Sequence, residues 1–236
     1  MDTDKRLNDL KNTVCEANLE LVKEGLVIQT WGNASAVARD EGLMVIKPSG
    51  VAYSVMKPEH MVVVSLETGK VVEGDLKPSS DTATHLVLYR AFKGIGGVVH
   101  THSLYATAWA QARSGIPSFG TTQADYWYGD VPCTRPLTPK EIKQDYETNT
   151  GHVIVEAFKK LDPLHHPAVL VASHGPFTWG KDIGEAVHNA AVLEFIARLA
   201  SETLRINPRT KPMPSVLLDK HFLRKHGPGA YYGQPR

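Results

Sequence analysis

The stretch MVVVSLETGKVVE, residues 61–73, decides the fold class. Two runs rich in β-branched residues, 61–65 and 70–73, flank Leu66-Glu67-Thr68-Gly69, a connection of about four residues with glycine where a positive φ is needed. This predicts a hairpin and therefore antiparallel pairing. Toward the N-terminus, residues 43–46 form another short β-rich run. Before it, Leu7, Leu10, Val14, Ala17 and Leu21 recur every three or four residues over 4–24, an amphipathic helix stopped by Gly25. Toward the C-terminus, His85, Leu88, Tyr89 and Phe92 share one helical face behind a cap at Ser80 or Asp81, and that helix ends at Gly94. Residues 95–101 read as a buried strand and 103–112 as a helix. Thr138-Pro139-Lys140-Glu141 is a capping box opening a helical region interrupted at Gly151, and residues 168–172 form a strand. Asp182 and Glu185 have the spacing of a second capping box before a helix over 183–206, and a last helix over 215–226 stops at Gly227-Pro228. Irregular alternation, a hairpin and no fixed repeat predict an α/β fold: one three-layer αβα domain over residues 1–236, with a central, largely antiparallel sheet.

With 26 Lys and Arg against 25 Asp and Glu, the net charge of +1 gives no broad attraction to nucleic acid or an anionic membrane, so a small-molecule partner is expected. Two cysteines, Cys15 and Cys133, make no disulfide framework, and the opening MDTDKRLNDL has no apolar signal core. A cytoplasmic location follows as an expectation, which leaves the sequon Asn33-Ala34-Ser35 idle.

The chemistry-bearing residues cluster. His100 and His102 are two apart at the end of a predicted strand and so project to one side, and His174 follows the strand at 168–172 directly. Three imidazoles at strand ends can hold zinc with a position left for substrate oxygen, or they can be structural histidines. Asp81 is either a fourth, oxygen ligand or a helix cap. Three small turns, Gly32-Asn33-Ala34-Ser35, Lys47-Pro48-Ser49-Gly50 and Pro78-Ser79-Ser80-Asp81, offer N–H and hydroxyl groups to a phosphate, or are turns only. Asp125, beside Tyr126-Trp127-Tyr128, is a candidate acid/base group with a raised pKa, while the aromatics suit packing or a subunit contact. Gly94-Ile95-Gly96-Gly97 precedes a strand and so is no dinucleotide loop; no phosphate-loop or serine-hydrolase motif occurs.

Together these motifs resemble the class II aldolase and epimerase family. The matching stretches are TWGNASAV (30–37), VIKPSGV (45–51), KPSSDTATH (77–85), GGVVHTHS (96–103), ADYWYGDVPCTR (124–135), SHGPFTWGKD (173–182), AVHNA (186–190) and DKHFLRKHGPGAYYGQ (219–234). The resemblance implies a class II aldolase-like fold and a Zn²⁺ cofactor held by His100, His102 and His174 with Asp81 in the ligand shell. It implies a phosphorylated ketopentose as substrate, with Gly32, Asn33, Ser49, Gly50, Ser79 and Ser80 holding it. Aldolase members carry Glu where this chain has Asp81, which points to the epimerase branch. That branch implies Asp125 and Tyr232 as the acid/base pair, reaching a site built with a neighbouring subunit of a cyclic homotetramer. Gln123 departs from the His usual there, and glutamine cannot titrate. A sugar-phosphate aldolase is the alternative enzyme, and a non-catalytic zinc-stabilised module the alternative outside catalysis.

Overall fold

In the computed structural model, which describes residues 3–232, seven strands form one sheet: β1 (Asn33–Ala38), β2 (Leu43–Ile46), β3 (Val62–Ser65), β4 (Val71–Glu73), β5 (Gly97–His100), β6 (Ala168–Leu170) and β7 (Pro176–Gly180). Their order is β4-β3-β2-β1-β5-β7-β6, and every neighbouring pair is antiparallel. The end of the C-terminal motif, Gly233-Gln234, lies outside the described residues. The 61–73 stretch is the β3–β4 hairpin, closed by Gly69 N donating to Ser65 O at 2.9 Å.

The helices are α1 (Thr3–Lys23), α2 (Thr82–Ala91), α3 (Leu104–Gln111), α4 (Thr121–Ala124), α5 (Pro139–Lys143), α6 (Tyr146–Ala157), α7 (Ile183–Ile206) and α8 (Ser215–His226). Strand side chains alternate between faces. Val45, Val63 and Val99 therefore pack with Val14 and Leu21 of α1 and Val187 and Ala190 of α7. Met44, Val62, Val64 and Val98 turn the other way, onto Leu88 and Tyr89 of α2 and Ile154 of α6. Both faces are covered, which explains the unbroken valine run in β3 and yields the three layers expected. Each fully buried apolar side chain of this size contributes about 1.5–3 kcal/mol.

The long helix α7 begins where its sequence signal lies, with Asp182 accepting from Glu185 N at 2.8 Å. Glu185 answers to Lys181 N at 2.7 Å, one residue before the cap. Its entry crosses β5 closely: a Cβ on Gly97 would lie 2.4 Å from Ile183 Cα, so no side chain fits there.

Two expectations need correction. Residues 33–35 are not a turn but the start of β1, a central strand in which Asn33 Nδ2 donates to Asp81, just before α2, and Ser35 bonds His85 and Tyr89 of α2. The helical region after Thr138 breaks at Gln144-Asp145, and Gly151 lies inside α6, where a Cβ would meet Val87 Cβ at 2.6 Å. Glycine at 151 serves close α2–α6 packing, not a helix stop. Among the described residues, no helix is long and apolar enough to cross a membrane.

Candidate metal centre and its cavity

Sheet register brings the first groups together. His100 ends β5, opposite Asn33 on β1 and Phe177 on β7. His102 lies just beyond, one residue before the cap position Ser103 of α3, and His174 sits in the turn between β6 and β7. That turn carries Ser173 at φ 63°, a left-handed conformation for a non-glycine residue, and Ser173 N donates to Ala110 O at 2.8 Å. The candidate ligand atoms of His100, His102 and His174 all lie within 4.8 Å of one another. His100 Nδ1 donates to Pro176 O at 2.9 Å, which fixes the ring with its Nε2 facing His102 Nε2 at 3.1 Å. Burial, then the neighbouring His100, depress the pKa of His102 to about 4 and that of His174 to about 3, against a smaller upward pull from Asp81. Both are neutral near pH 7, the form in which imidazole ligates a metal.

Asp81 precedes α2 without capping it through its side chain. Its carboxylate accepts instead from Asn33 Nδ2 at 2.7 Å. Burial raises the Asp81 pKa, but His100, His85, the Asn33 amide and His174 outweigh it and hold the group below its ordinary value. Asp81 borders the histidine cluster without joining the compact 4.8 Å group. Three imidazoles and a carboxylate form a donor set that suits a divalent transition metal, and buried Asn33 Oδ1 beside them has no protein partner.

A cavity of about 550 Å³ opens over this cluster. Gly32, Asn33, Ser49, Gly50, Ser79 and Ser80 all line it, together with Asp81 and the three histidines. The two serine turns are held side by side by Ser49 N donating to Lys77 O at 2.8 Å and Ser79 N donating to Lys47 O at 3.0 Å.

The acid/base candidates are elsewhere in the chain. Asp125, at the end of α4, accepts two bonds from Arg224 Nη2 at 2.9 Å and one from His221 Nδ1 at 3.0 Å, with Lys225 Nζ at 3.4 Å. The Tyr232 ring lies 4.5 Å from the Arg224 guanidinium and 4.8 Å from Lys225 Nζ. Asp125 and Tyr232 thus share a cationic patch on α8, and neither lines the cavity of its own chain. The expectation of a raised Asp125 pKa is corrected: burial does push it up, but Arg224, His221 and Lys225 more than offset that and lower it.

The model of the class II aldolase and adducin N-terminal domain matches residues 12–201. This chain belongs to the class II aldolase family. L-ribulose-5-phosphate 4-epimerase UlaF of Salmonella paratyphi B is 57% identical over 97% of this chain and 100% of that protein. Among solved structures, an L-fuculose 1-phosphate aldolase has a TM-score of 0.77 at 26% identity, covering 90% of this chain and 94% of its own. The aldolase/epimerase/decarboxylase-like YgbL of Klebsiella pneumoniae has a TM-score of 0.70 at 27% identity, covering 91% and 98%.

Within this class II aldolase fold, the cavity also holds Trp31, Tyr146 and Glu147, which sequence reasoning missed, and Lys47, which it offered only as part of a turn. Lys47 is the most telling. It is buried, its ammonium donates to Thr30 O at 3.2 Å and stands 4.9 Å from the Tyr53 ring centre, and burial lowers its pKa against an upward pull from Asp81. The signal available was its place at the end of the apolar run Leu43-Met44-Val45-Ile46, where a lysine cannot easily reach water. Gln123 is buried, its amide donating to Gly129 O at 3.0 Å and Ile116 O at 3.3 Å, so it closes a loop. In the aromatic cluster Trp127 is fully buried in the core while the exposed Tyr128 donates to Asp219 at 2.7 Å.

Proposed function

We propose that this protein interconverts L-ribulose 5-phosphate and D-xylulose 5-phosphate by opening and re-forming the bond between carbons 3 and 4, with zinc held by His100, His102 and His174 and with Asp81 in the ligand shell. The observation that carries the reading is the compact three-histidine cluster lining a cavity that Ser and Gly turns also wall. The 57% identity to an L-ribulose-5-phosphate 4-epimerase supports the choice of substrate.

Direct removal of the carbon 4 proton is unfavourable, because that carbon is not adjacent to the carbonyl. Cleavage between carbons 3 and 4 avoids the unstabilised carbanion. A divalent cation at the histidines supplies Lewis-acid stabilisation of the negative charge that develops. Ser49, Gly50, Ser79 and Ser80 keep the phosphate fixed while the aldehyde turns over and presents its other face. Gly32 and Asn33 border the sugar, with Asn33 holding Asp81 in place. Asp125 and Tyr232 move the protons, one taking that of the carbon 4 hydroxyl and the other returning it. Since neither lines its own cavity, they act on the cavity of a second copy. The same reading makes residues 1–236 one domain, working in the cytoplasm as a homotetramer.

A second reading, a sugar-phosphate aldolase, is favoured by the 26% identity to an L-fuculose 1-phosphate aldolase. Incubation with L-ribulose 5-phosphate separates them. Accumulation of D-xylulose 5-phosphate is the outcome expected here. Net cleavage of a ketose 1-phosphate, with no change at carbon 4 of the pentulose, is the outcome that gives the aldolase its place.

A further inference from the structure

Tyr146 opens α6 and lines the cavity, with its hydroxyl 3.3 Å from His174 Nδ1. The backbone that delivers it is strained. Asp145 sits at φ 59° and ψ 58°, which for a non-glycine residue costs on the order of 1 kcal/mol. The corner is tied from both sides. Asn149 Nδ2 donates to the carbonyls of Glu141 and Gln144, and Thr84 Oγ1 on α2 donates to Glu147 O at 2.6 Å. Thr138 and Glu141 cap α5 reciprocally just upstream. This over-determined turn presents the Tyr146 phenol to the cavity wall, beside Glu147.

We propose that Tyr146 is the positioning residue of His174, its phenol oxygen accepting a hydrogen bond from Nδ1–H so that Nε2 is left with its lone pair; this rests on the metal reading of the three histidines. His100 obtains the same arrangement from a backbone carbonyl, Pro176 O. Among the described residues the His174 ring has no such carbonyl, and its one recorded hydrogen-bond partner is Tyr146. The direction of the bond decides its use. A phenol donating to Nδ1 would leave the proton on Nε2 and turn an N–H toward the ion; a phenol accepting from Nδ1 turns a lone pair there. Neutral imidazole in water prefers its proton on Nε2, so the tautomer that ligates through Nε2 has to be imposed, and groups that impose it typically change metal affinity by about 10- to 100-fold.

The test measures ¹⁵N shifts of the His174 ring in the metal-free protein and zinc affinity by competition with a chelator of known strength. A protonated Nδ1 and an unprotonated Nε2 are expected in the unaltered protein. Tyr146→Phe, which removes one oxygen, is expected to mix the tautomers and weaken zinc binding by about 10- to 100-fold. His174→Ala separates the two ideas: unchanged zinc affinity in that variant removes the metal reading itself. Weaker binding in His174→Ala with affinity kept within about threefold in Tyr146→Phe overturns the role of Tyr146 alone. Should Tyr146→Phe not fold, the ring shifts of the unaltered protein decide, and a proton on Nε2 rejects the proposal.

Discussion

The Nε2 atoms of His100 and His102 face each other across 3.1 Å, and the His100 ring is held in that orientation by the bond that Nδ1 makes to Pro176 O. Such a pair of nitrogens is at rest only with a shared proton or a shared cation between them. A chelator should therefore abolish turnover, and added Zn²⁺ should restore it. The same ion should raise the melting temperature, since free ligand at about 1,000 times its Kd stabilises the folded state by about 4 kcal/mol. Scanning calorimetry with and without zinc reads this directly, and a melting temperature indifferent to zinc contradicts the site.

Asp125 belongs to a different kind of environment. With Arg224 gripping both carboxylate oxygens, its pKa in the folded state lies below the ordinary carboxylate value. The stability this confers is complete above the unfolded-state pKa of about 4 and is lost as pH falls through the lower folded value. Arg224→Gln should move the Asp125 pKa upward, visible by carboxyl ¹³C titration. The acid limb of the epimerase rate profile should shift in the same direction. An unmoved carboxyl titration in the variant removes Arg224 as the cause.

His85 predicts the opposite end of the acid response. It lies on α2 with its ring fully buried, Nδ1 at 2.7 Å from Ser35 Oγ and Nε2 without a partner. Burial, with a smaller push from His100, takes its pKa to about 3 despite Asp81. From about pH 6.5 down to that value the unfolded chain binds a proton that the folded chain refuses, so stability falls with pH by up to about 1.4 kcal/mol per unit. His85→Gln should flatten the dependence of the urea midpoint between about pH 7 and pH 5, by about 2 kcal/mol over that span. Parallel curves for the two proteins would exclude His85 from acid unfolding.

Gly97→Ala tests the packing of the layer that carries the site. The added methyl meets backbone, Ile183 Cα at 2.4 Å and Ile183 N at 2.6 Å, so β5 or the start of α7 must move. Overpacking of this kind costs about 1–3 kcal/mol or more. A lower denaturation midpoint should come with weaker zinc binding, because β5 ends in His100. A variant as stable as the parent denies that α7 fixes β5.

How far the sequence could be read follows from where each signal lives. The β3–β4 hairpin and α7 were legible because turn chemistry and capping are local, and Asp182 bonds Glu185 N as its spacing predicts. The histidines were legible because His100 and His102 are two apart at a strand end. β1 was hidden: Asn33 and Ser35 look like turn residues until Asp81, just before α2, and His85 and Tyr89 of α2 become their partners some 50 residues away. Strand propensity has no access to such partners. Asp125 shows the same limit, since the groups that lower its pKa sit on α8, with His221 96 residues along the chain. Lys47 enters the sequence reading only as part of a turn, and its burial depends on the fold that encloses it.

The separation of Asp125 and Tyr232 from the histidine cavity of the same chain gives the sharpest test of how the site is completed. On the proposed function, His102→Ala removes a ligand and Asp125→Asn removes an acid/base group, a loss that typically costs about 10²- to 10⁴-fold in rate. Each variant alone should be nearly inactive. If the cavity of one copy takes its acid/base residues from another, dissociating and reassembling an equal mixture creates interfaces that pair an intact cavity with an intact Asp125. For random pairing around a ring these make up about a quarter of all sites. Recovery of activity on that scale is the expected outcome, measured against each variant reassembled alone. Activity that stays at the level of the single variants means that Asp125 serves the cavity of its own chain, and then α8 must move to bring it there.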